Sequence, residues 1–186
     1  MIITRATPTD LPLLLQYRQE AAGWLSNLGI DQWSNAFPED HILASIKAGN
    51  VFLLKDGPRT AGTITLDSEP EPDLWTEAEL REPSMHLHKL IVSRAYAGQG
   101  LGSRLVDWAS DRTAQAGGRW VRINVWSTNE RLQTYWTRQG FQHVRTVAGG
   151  GVGGAGVAGW LGQRPADRND RHGLVEKLTD RADALE

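Results

Sequence analysis

The sequence predicts a single α/β domain of the mixed (α+β) kind. Three observations carry this: short β-branched runs alternate with helical stripes, two of the runs are joined by a strong turn signal, and a glycine-rich turn leads one strand directly into a helix. With 186 residues, 40% hydrophobic and 23% charged, the chain has apolar material for one ordinary core. Its formal charge of -2 balances both signs, so no broad basic surface for nucleic-acid phosphates is indicated and no DNA partner is expected. There is no cysteine, which removes disulfides, thiolate ligands and cysteine nucleophiles together, and no metal site is expected. The start, MIITRATPTDLPLLL, has no charged segment followed by a long apolar one, and nothing later approaches a membrane-spanning length. The expectation is a cytoplasmic, untargeted protein without a membrane partner, monomeric or homodimeric.

Ile2 to Thr4 read as a strand, and Thr9 and Asp10 cap a helix carrying Leu11, Leu13, Leu14, Leu15 and Tyr17. The segment WLSNLGIDQW after Gly23 breaks any clean period, and Pro38 opens a second helix with Ile42, Leu43 and Ile46. Val51 to Leu54 and Ala61 to Leu66 form a hairpin across KDGPRT. A long acidic connection with Trp75 at its middle then spans Asp67 to Pro83. Met85 to Val92 is the next strand, and Gly100 to Ala116 is helical, with Leu101, Leu105, Trp108 and Ala109 on one stripe. Trp108 and Trp120 read as core. Trp120 to Trp126 alternates as a strand, Asn129 to Gln139 is a helix closed by Gly140, and Phe141 to Val147 returns as a strand. Eight glycines between Ala148 and Gly162 predict a mobile loop, followed by a short strand over Val157 to Leu161. The domain thus spans 1–163. For the polar tail 164–186 two readings stay open, a short helix on the spacing of Leu174, Leu178, Ala182 and Leu185, or a frayed end.

The turn AGQGLGSRL sits where a strand hands over to a helix, so unpaired N–H groups and the positive end of the helix dipole face outward there. Glycines at 98, 100 and 102 would let the backbone come close to a pyrophosphate. Ser103 stands where a dinucleotide fingerprint wants its third glycine, and Ser103-Arg104 where a P-loop wants Lys-Ser or Lys-Thr, so neither of those motifs fits.

What remains resembles the GNAT superfamily of acyltransferases. LHKLIVSRAYAGQGLGSRL is similar to the family's central motif, a strand ending in valine, a short turn, and Arg/Gln-x-x-Gly-x-Gly/Ala opening a helix. NERLQTYWTRQGF resembles its second motif, in which an asparagine starts a helix ending in Tyr-x-x-x-Gly-Phe. The resemblance implies a GNAT fold, a mixed V-shaped sheet of six to seven strands flanked by about four helices, and acetyl-CoA or another acyl-CoA as cofactor. It places Leu90, Ile91 and Val92 on the strand that pairs with the pantetheine arm. Ala97, Gly98, Gln99, Gly100, Leu101, Gly102 and Ser103 fall around the pyrophosphate, and Asn129 close to the cofactor. Backbone amides near Val92 are implied as the oxyanion stabilisers.

Transfer to an amine needs a neutral nitrogen, yet a lysine-like amine has a pKa near ~10.4, so a base is required, directly or through water. A glutamate lies six residues before the valine in the histone-modifying branch of the family, and that position here is His86. Alternation puts His86 and His88 on one strand face with Leu90 and Val92. The other reading makes either histidine a hydrogen-bonded strand residue. The family's tyrosine, which protonates the departing thiolate, is replaced by Trp136, whose indole N–H is no acid; Tyr135 is one residue earlier and turned by roughly 100° on the helix. Either Tyr135 is presented by a local distortion, or the thiolate leaves unaided, which is favoured here because a thiol pKa is near ~8.5, or the usual chemistry is lost. Trp24, Asn27, Asp31, Gln32 and Trp33 occupy the segment that forms one wall of the acceptor cleft in this family, with Trp75 as a candidate second wall, suiting a small-molecule amine with an apolar body. The alternatives are a different acyl donor, or a non-catalytic module that binds cofactor or a partner.

Overall fold

The computed structural model describes residues 1–30, 32–33, 38–71, 73–147 and 159–178. Most of the glycine-rich stretch, Asp31, Ala182 and Leu185 lie outside them. Among the described residues, eight strands form one mixed sheet in the hydrogen-bonded order β6-β7-β5-β4-β3-β2-β1-β8. That is one strand beyond the expected six to seven, and the extra one comes from the tail. The chain divides into two compact units, with strand β4 and helix α4 running from one into the other.

The first unit holds Met1–Leu66, Lys89–Leu105 and the described residues from His172 on. Strand β1 (Ile2–Arg5) lies antiparallel to β2 (Val51–Asp56), with Ile3 opposite Leu54. The KDGPRT turn then carries β2 into β3 (Arg59–Asp67) as the expected hairpin. Helices α1 (Leu11–Ser26) and α2 (Glu39–Lys47) supply Leu14, Ile42 and Ile46 to a core that includes Ala6, Val51 and Leu53. Helix α2 carries Glu39 and Asp40 in its first turn and Lys47 in its last, each sign at the end of the dipole that favours it. Within the described tail there is a strand and no helix. Arg104 donates from Nε to the carbonyl of His172 at 2.7 Å and from Nη2 to that of Gly173 at 2.8 Å. Val175–Glu176 then adds to β1 as the parallel strand β8, and Leu174, read as part of a helical stripe, is buried beside it in the chain.

The second unit holds Asp67–His88 and Val106–Arg171. The first part of β4 (Ser84–Val92) runs parallel to β5 (Trp120–Val125), His86 opposite Arg122, and β5 pairs antiparallel with β7 (Trp160–Pro165). Strand β7 continues past the expected end at Leu161 to Pro165, and the expected start at Val157 lies outside the described residues. Strand β6 (Gln142–Thr146) closes this end. The acidic connection folds instead of trailing through solvent. Its single-turn helix α3 (Glu77–Leu80) is held by a capping box, Thr76 N donating to Glu79 Oε2 at 2.8 Å and Glu79 N to Thr76 Oγ1 at 3.3 Å. Trp75 is buried with Leu74 and Leu161, and the guanidinium of Arg122 lies 4.7 Å over its ring. Trp108 is core as expected, whereas Trp120 is only half-buried.

Candidate active site

In the first unit, the strand-to-helix turn is built as a row of amides that the described residues leave without hydrogen-bond partners. Helix α4 (Leu101–Gln115) begins at Leu101, and its first main-chain bond in the turn is Arg104 N to Gly100 O at 3.2 Å. Ala97 N is taken, since it donates to Arg94 O and closes a short 3-10 turn over Arg94–Tyr96. The amides of Gly98, Gln99, Gly100, Leu101, Gly102 and Ser103 have no hydrogen-bond partner among the described residues. The row is therefore six amides from Gly98, not seven from Ala97. Gly98 and Gly100 sit at φ 77° and 70°, and an added Cβ at either would meet nothing within 4 Å. Their necessity is conformational: the left-handed region is what aims successive N–H groups to one side, and other residues enter it at a cost. Arg104, the cation in this helix's first turn, is committed to the tail carbonyls.

Strand β4 does not alternate throughout. Lys89 has φ 47°, a left-handed kink in the strand, so the count by twos from His86 and His88 to Leu90 and Val92 does not carry through it. Past the kink, Leu90, Ile91 and Val92 are half-buried. Ser93 N donates to Ala61 O at 2.9 Å. Gly62 allows this close approach, because a Cβ there would stand 2.7 Å from the carbonyl oxygen of Ile91. Beside the strand is a shallow cleft whose walls include Leu14, Arg18, Trp33, Ile42, Lys89 and Ile91. Of the expected acceptor-wall residues, Trp33 lines it, Gln32 is buried, and Trp24 is 42% exposed with the Arg94 guanidinium 4.7 Å over its ring. Sequence reasoning passed over Arg18, Lys89, Thr63 and Thr65, although two threonines at i and i+2 in an otherwise apolar strand are a polar stripe.

In the second unit, His86 is 2% exposed. Its ring stacks on His88 at 6.2 Å between centroids and meets Trp75 edge-on at 5.6 Å. Burial pushes its pKa from the ordinary 6.5 down to about 4, with His88 and Arg122 adding to the fall and Asp67 opposing it. His88 Nε2 lies 3.6 Å from Asp67 Oδ1. Helix α5 (Glu130–Arg138) starts at Asn129, whose Oδ1 accepts from Leu132 N at 3.0 Å, so this side chain caps the helix. Tyr135 and Trp136 contact edge to face at 5.2 Å, and Trp136 meets Phe141 in the same way at 5.1 Å. Trp136 is buried, and its Nε1 has no hydrogen-bond partner among the described residues.

The turn's own amides fit an acyl-coenzyme A, since unpartnered N–H groups at the head of a 15-residue helix suit a diphosphate. The chain is also similar to known proteins. The sequence pattern of the Acetyltransferase (GNAT) family matches residues 15–141. An uncharacterized N-acetyltransferase of Bacillus subtilis, YesJ, is 32% identical over 135 residues, covering 69% of this chain and 74% of the relative. The solved GNAT-family acetyltransferase of Listeria monocytogenes superposes with a TM-score of 0.70 at 25% identity, over 88% of this chain and 93% of that one. The yncA protein of Salmonella typhimurium, solved with its cofactor acetyl-CoA, shares the fold with a TM-score of 0.61 at 17% identity, over 90% and 94% of the two chains. The chain belongs to the GNAT acetyltransferase family, and it is an N-acyltransferase that uses an acyl-coenzyme A. Among the described residues, no helix is long and apolar enough to cross a membrane.

Proposed function

We propose that this enzyme acetylates a small-molecule amine by direct attack, that the amides of Gly98–Ser103 hold the cofactor's pyrophosphate, and that Leu90–Val92 pair with its pantetheine arm. The observation that carries the reading is the run of six partnerless amides at the head of α4. Acetyl-coenzyme A supplies a thioester carbonyl, and the chain's part is to bind, orient and move protons. His86 is the group we assign to take the amine's proton. Its depressed pKa keeps an unprotonated ring nitrogen at neutral pH but makes it a transient carrier, and His88 beside Asp67 offers the onward route. As the new C–N bond forms and the C–S bond breaks, the sulfur leaves as a thiolate. Trp136 donates no proton to it, and none is required. Trp75 and Asn129 serve packing and capping in this scheme. The cytoplasm remains the compartment, with a monomer or homodimer as the working unit.

Acetyl-coenzyme A should raise the melting temperature of the wild type by several degrees. Gly100→Glu should abolish the shift by placing a carboxylate in the anion site, while Gly100→Asn, which tolerates the left-handed backbone, should keep part of it. If no acyl-coenzyme A stabilises the wild type, the assignment of the turn is wrong.

A further inference from the structure

Arg104 stands one residue past the row of unpartnered amides, and its surroundings differ from those of Arg119, Arg122, Arg145 and Arg164, each of which pairs with a carboxylate. Arg104 gives its hydrogen bonds to neutral carbonyls, Nε to His172 and Nη2 to Gly173, and no carboxylate among the described residues forms an ion pair with it. Its charge also sits at the helix end where the dipole disfavours a cation, and no acid in the first turn of α4 offsets it. A long side chain on a helix leans back over the preceding turn, which here is the turn of Gly100 and Leu101. Unpartnered donors and an unneutralised cation thus meet in one turn, and each gains from negative charge that no described residue supplies.

The tail residues that hold the guanidinium are themselves tied to the sheet. Val175 N donates to Met1 O at 3.2 Å and Lys177 N to Ile3 O at 2.8 Å, which pairs β8 with β1. Leu174 is buried, and its N–H donates to His172 Nδ1 at 3.0 Å across the bend at Gly173. Gly173 takes φ 56°, and a Cβ there would stand 3.5 Å from Arg104 Nη2. The tail is a strap from β1 to the first turn of α4. A free arginine loses much of its rotamer freedom when it engages an anion, and one already held by two bonds has less left to lose.

We propose that Arg104 supplies the positive charge of the cofactor's diphosphate site, and that the tail from His172 to Glu176 belongs to that site because its seating as β8 holds the guanidinium in place. The inference rests on the reading that the amides of Gly98–Ser103 hold the diphosphate. It adds that coenzyme A and the seated tail stabilise each other, since coupling between two sites is reciprocal.

The test is titration calorimetry of coenzyme A on the full chain at low and high sodium chloride, joined to hydrogen exchange at the tail. Arg104→Met should weaken coenzyme A by about fivefold or more at low salt and flatten the loss of affinity that salt causes, while Arg104→Lys keeps that salt dependence. Leu174→Asp, which unseats the tail and leaves the helix turn alone, should weaken coenzyme A as well, and the double variant should bind no worse than Arg104→Met by itself. In the wild type, coenzyme A should slow exchange of the Val175 and Lys177 amides by about tenfold. Should Leu174→Asp fail to fold, Gly173→Val unseats the tail through its strained backbone and carries the same expectation. The inference is overturned if Arg104→Met binds as tightly as the wild type, if its salt dependence is unchanged, if the two losses simply add, or if tail exchange is indifferent to coenzyme A. Gly100→Glu keeps the underlying reading separate. If that variant still binds coenzyme A, the diphosphate does not sit in this turn; if it loses binding while Arg104→Met does not, only the role of Arg104 and the tail is struck.

Discussion

His86 and His88 stack with their ring planes 14° apart, and the inner ring of the pair is the one that burial keeps neutral. The consequence for stability has a definite sign. In the unfolded chain His86 takes a proton as pH falls below 6.5, but in the fold it does so only near 4. Between those values the unfolded state binds more protons, so acidification costs stability, on the order of 3 kcal/mol if the whole shift is expressed. Replacing His86 with Gln should flatten the urea-denaturation stability profile between pH 6.5 and 4. Equal slopes in the two proteins would show that His86 is not held neutral. For the same reason the pH–rate profile should carry no inflection near 6.5 from this residue.

Glu79 tests the opposite sign. Its carboxylate accepts from Arg145 Nη1 and Nη2, each at 2.7 Å, and this pairing lowers its pKa from 4.5 to about 2 against the opposing effect of burial. The stabilisation is complete above about pH 4.5 and is lost as pH falls toward 2. Both side chains keep some solvent contact, so the contribution is on the order of 2 kcal/mol rather than the full shift. Glu79→Gln should lower the melting temperature at pH 7, and the gap to wild type should narrow steadily from pH 5 to pH 2. A gap independent of pH would show that the ionised carboxylate contributes nothing to it.

Position 136 separates packing from proton donation. Trp136→Phe removes an indole nitrogen that has no partner and keeps the ring contacts, so the cost should be about 1–2 kcal/mol, against about 3–5 for Trp136→Ala. Tyr135→Phe should leave the maximal rate within about threefold if the thiolate leaves unaided. The cysteine-free chain makes this easy to read, because a thiol reagent reports only released coenzyme A. A fall of a hundredfold would make Tyr135 the acid.

Several parts of this arrangement were legible because they depend on local chemistry. The Asp-Gly-Pro turn fixes its hairpin, and the spacing of Gly98, Gly100 and Gly102 before an amphipathic stripe marks the turn that opens helix α4, without any help from distant residues. The kink at Lys89 was not legible, since lysine carries no preference for the left-handed region and only the packing around the strand holds it there. Trp75 was open to misreading for a related reason. The arginines that lie over it, 122 and 145, are 47 and 70 positions away, and a tryptophan among carboxylates gives no hint of them. Within the described tail, Arg104, about 70 residues earlier, holds the carbonyls just before strand β8, a contact that the spacing of the tail's leucines does not reveal.

Gly62 offers the most direct link between packing and cofactor binding. Its missing Cβ is what allows Ile91 O to approach, and the opposing atom is backbone, so a side chain cannot be accommodated by rotating something aside. Gly62→Ala must therefore move the main chain of Leu90–Val92 by several tenths of an ångström, at a cost of about 1–3 kcal/mol. If that segment pairs with the pantetheine arm, the variant should lose most of the acetyl-coenzyme A thermal shift as well as several degrees of its own stability. Desulfo-coenzyme A and 3′,5′-ADP locate the loss: binding of the nucleotide fragment, which needs only the Gly98–Ser103 amides, should survive when binding of the whole cofactor does not. Equal weakening of both ligands would mean that the substitution disturbs the turn itself, and undiminished binding of both would remove Leu90–Val92 from the cofactor site.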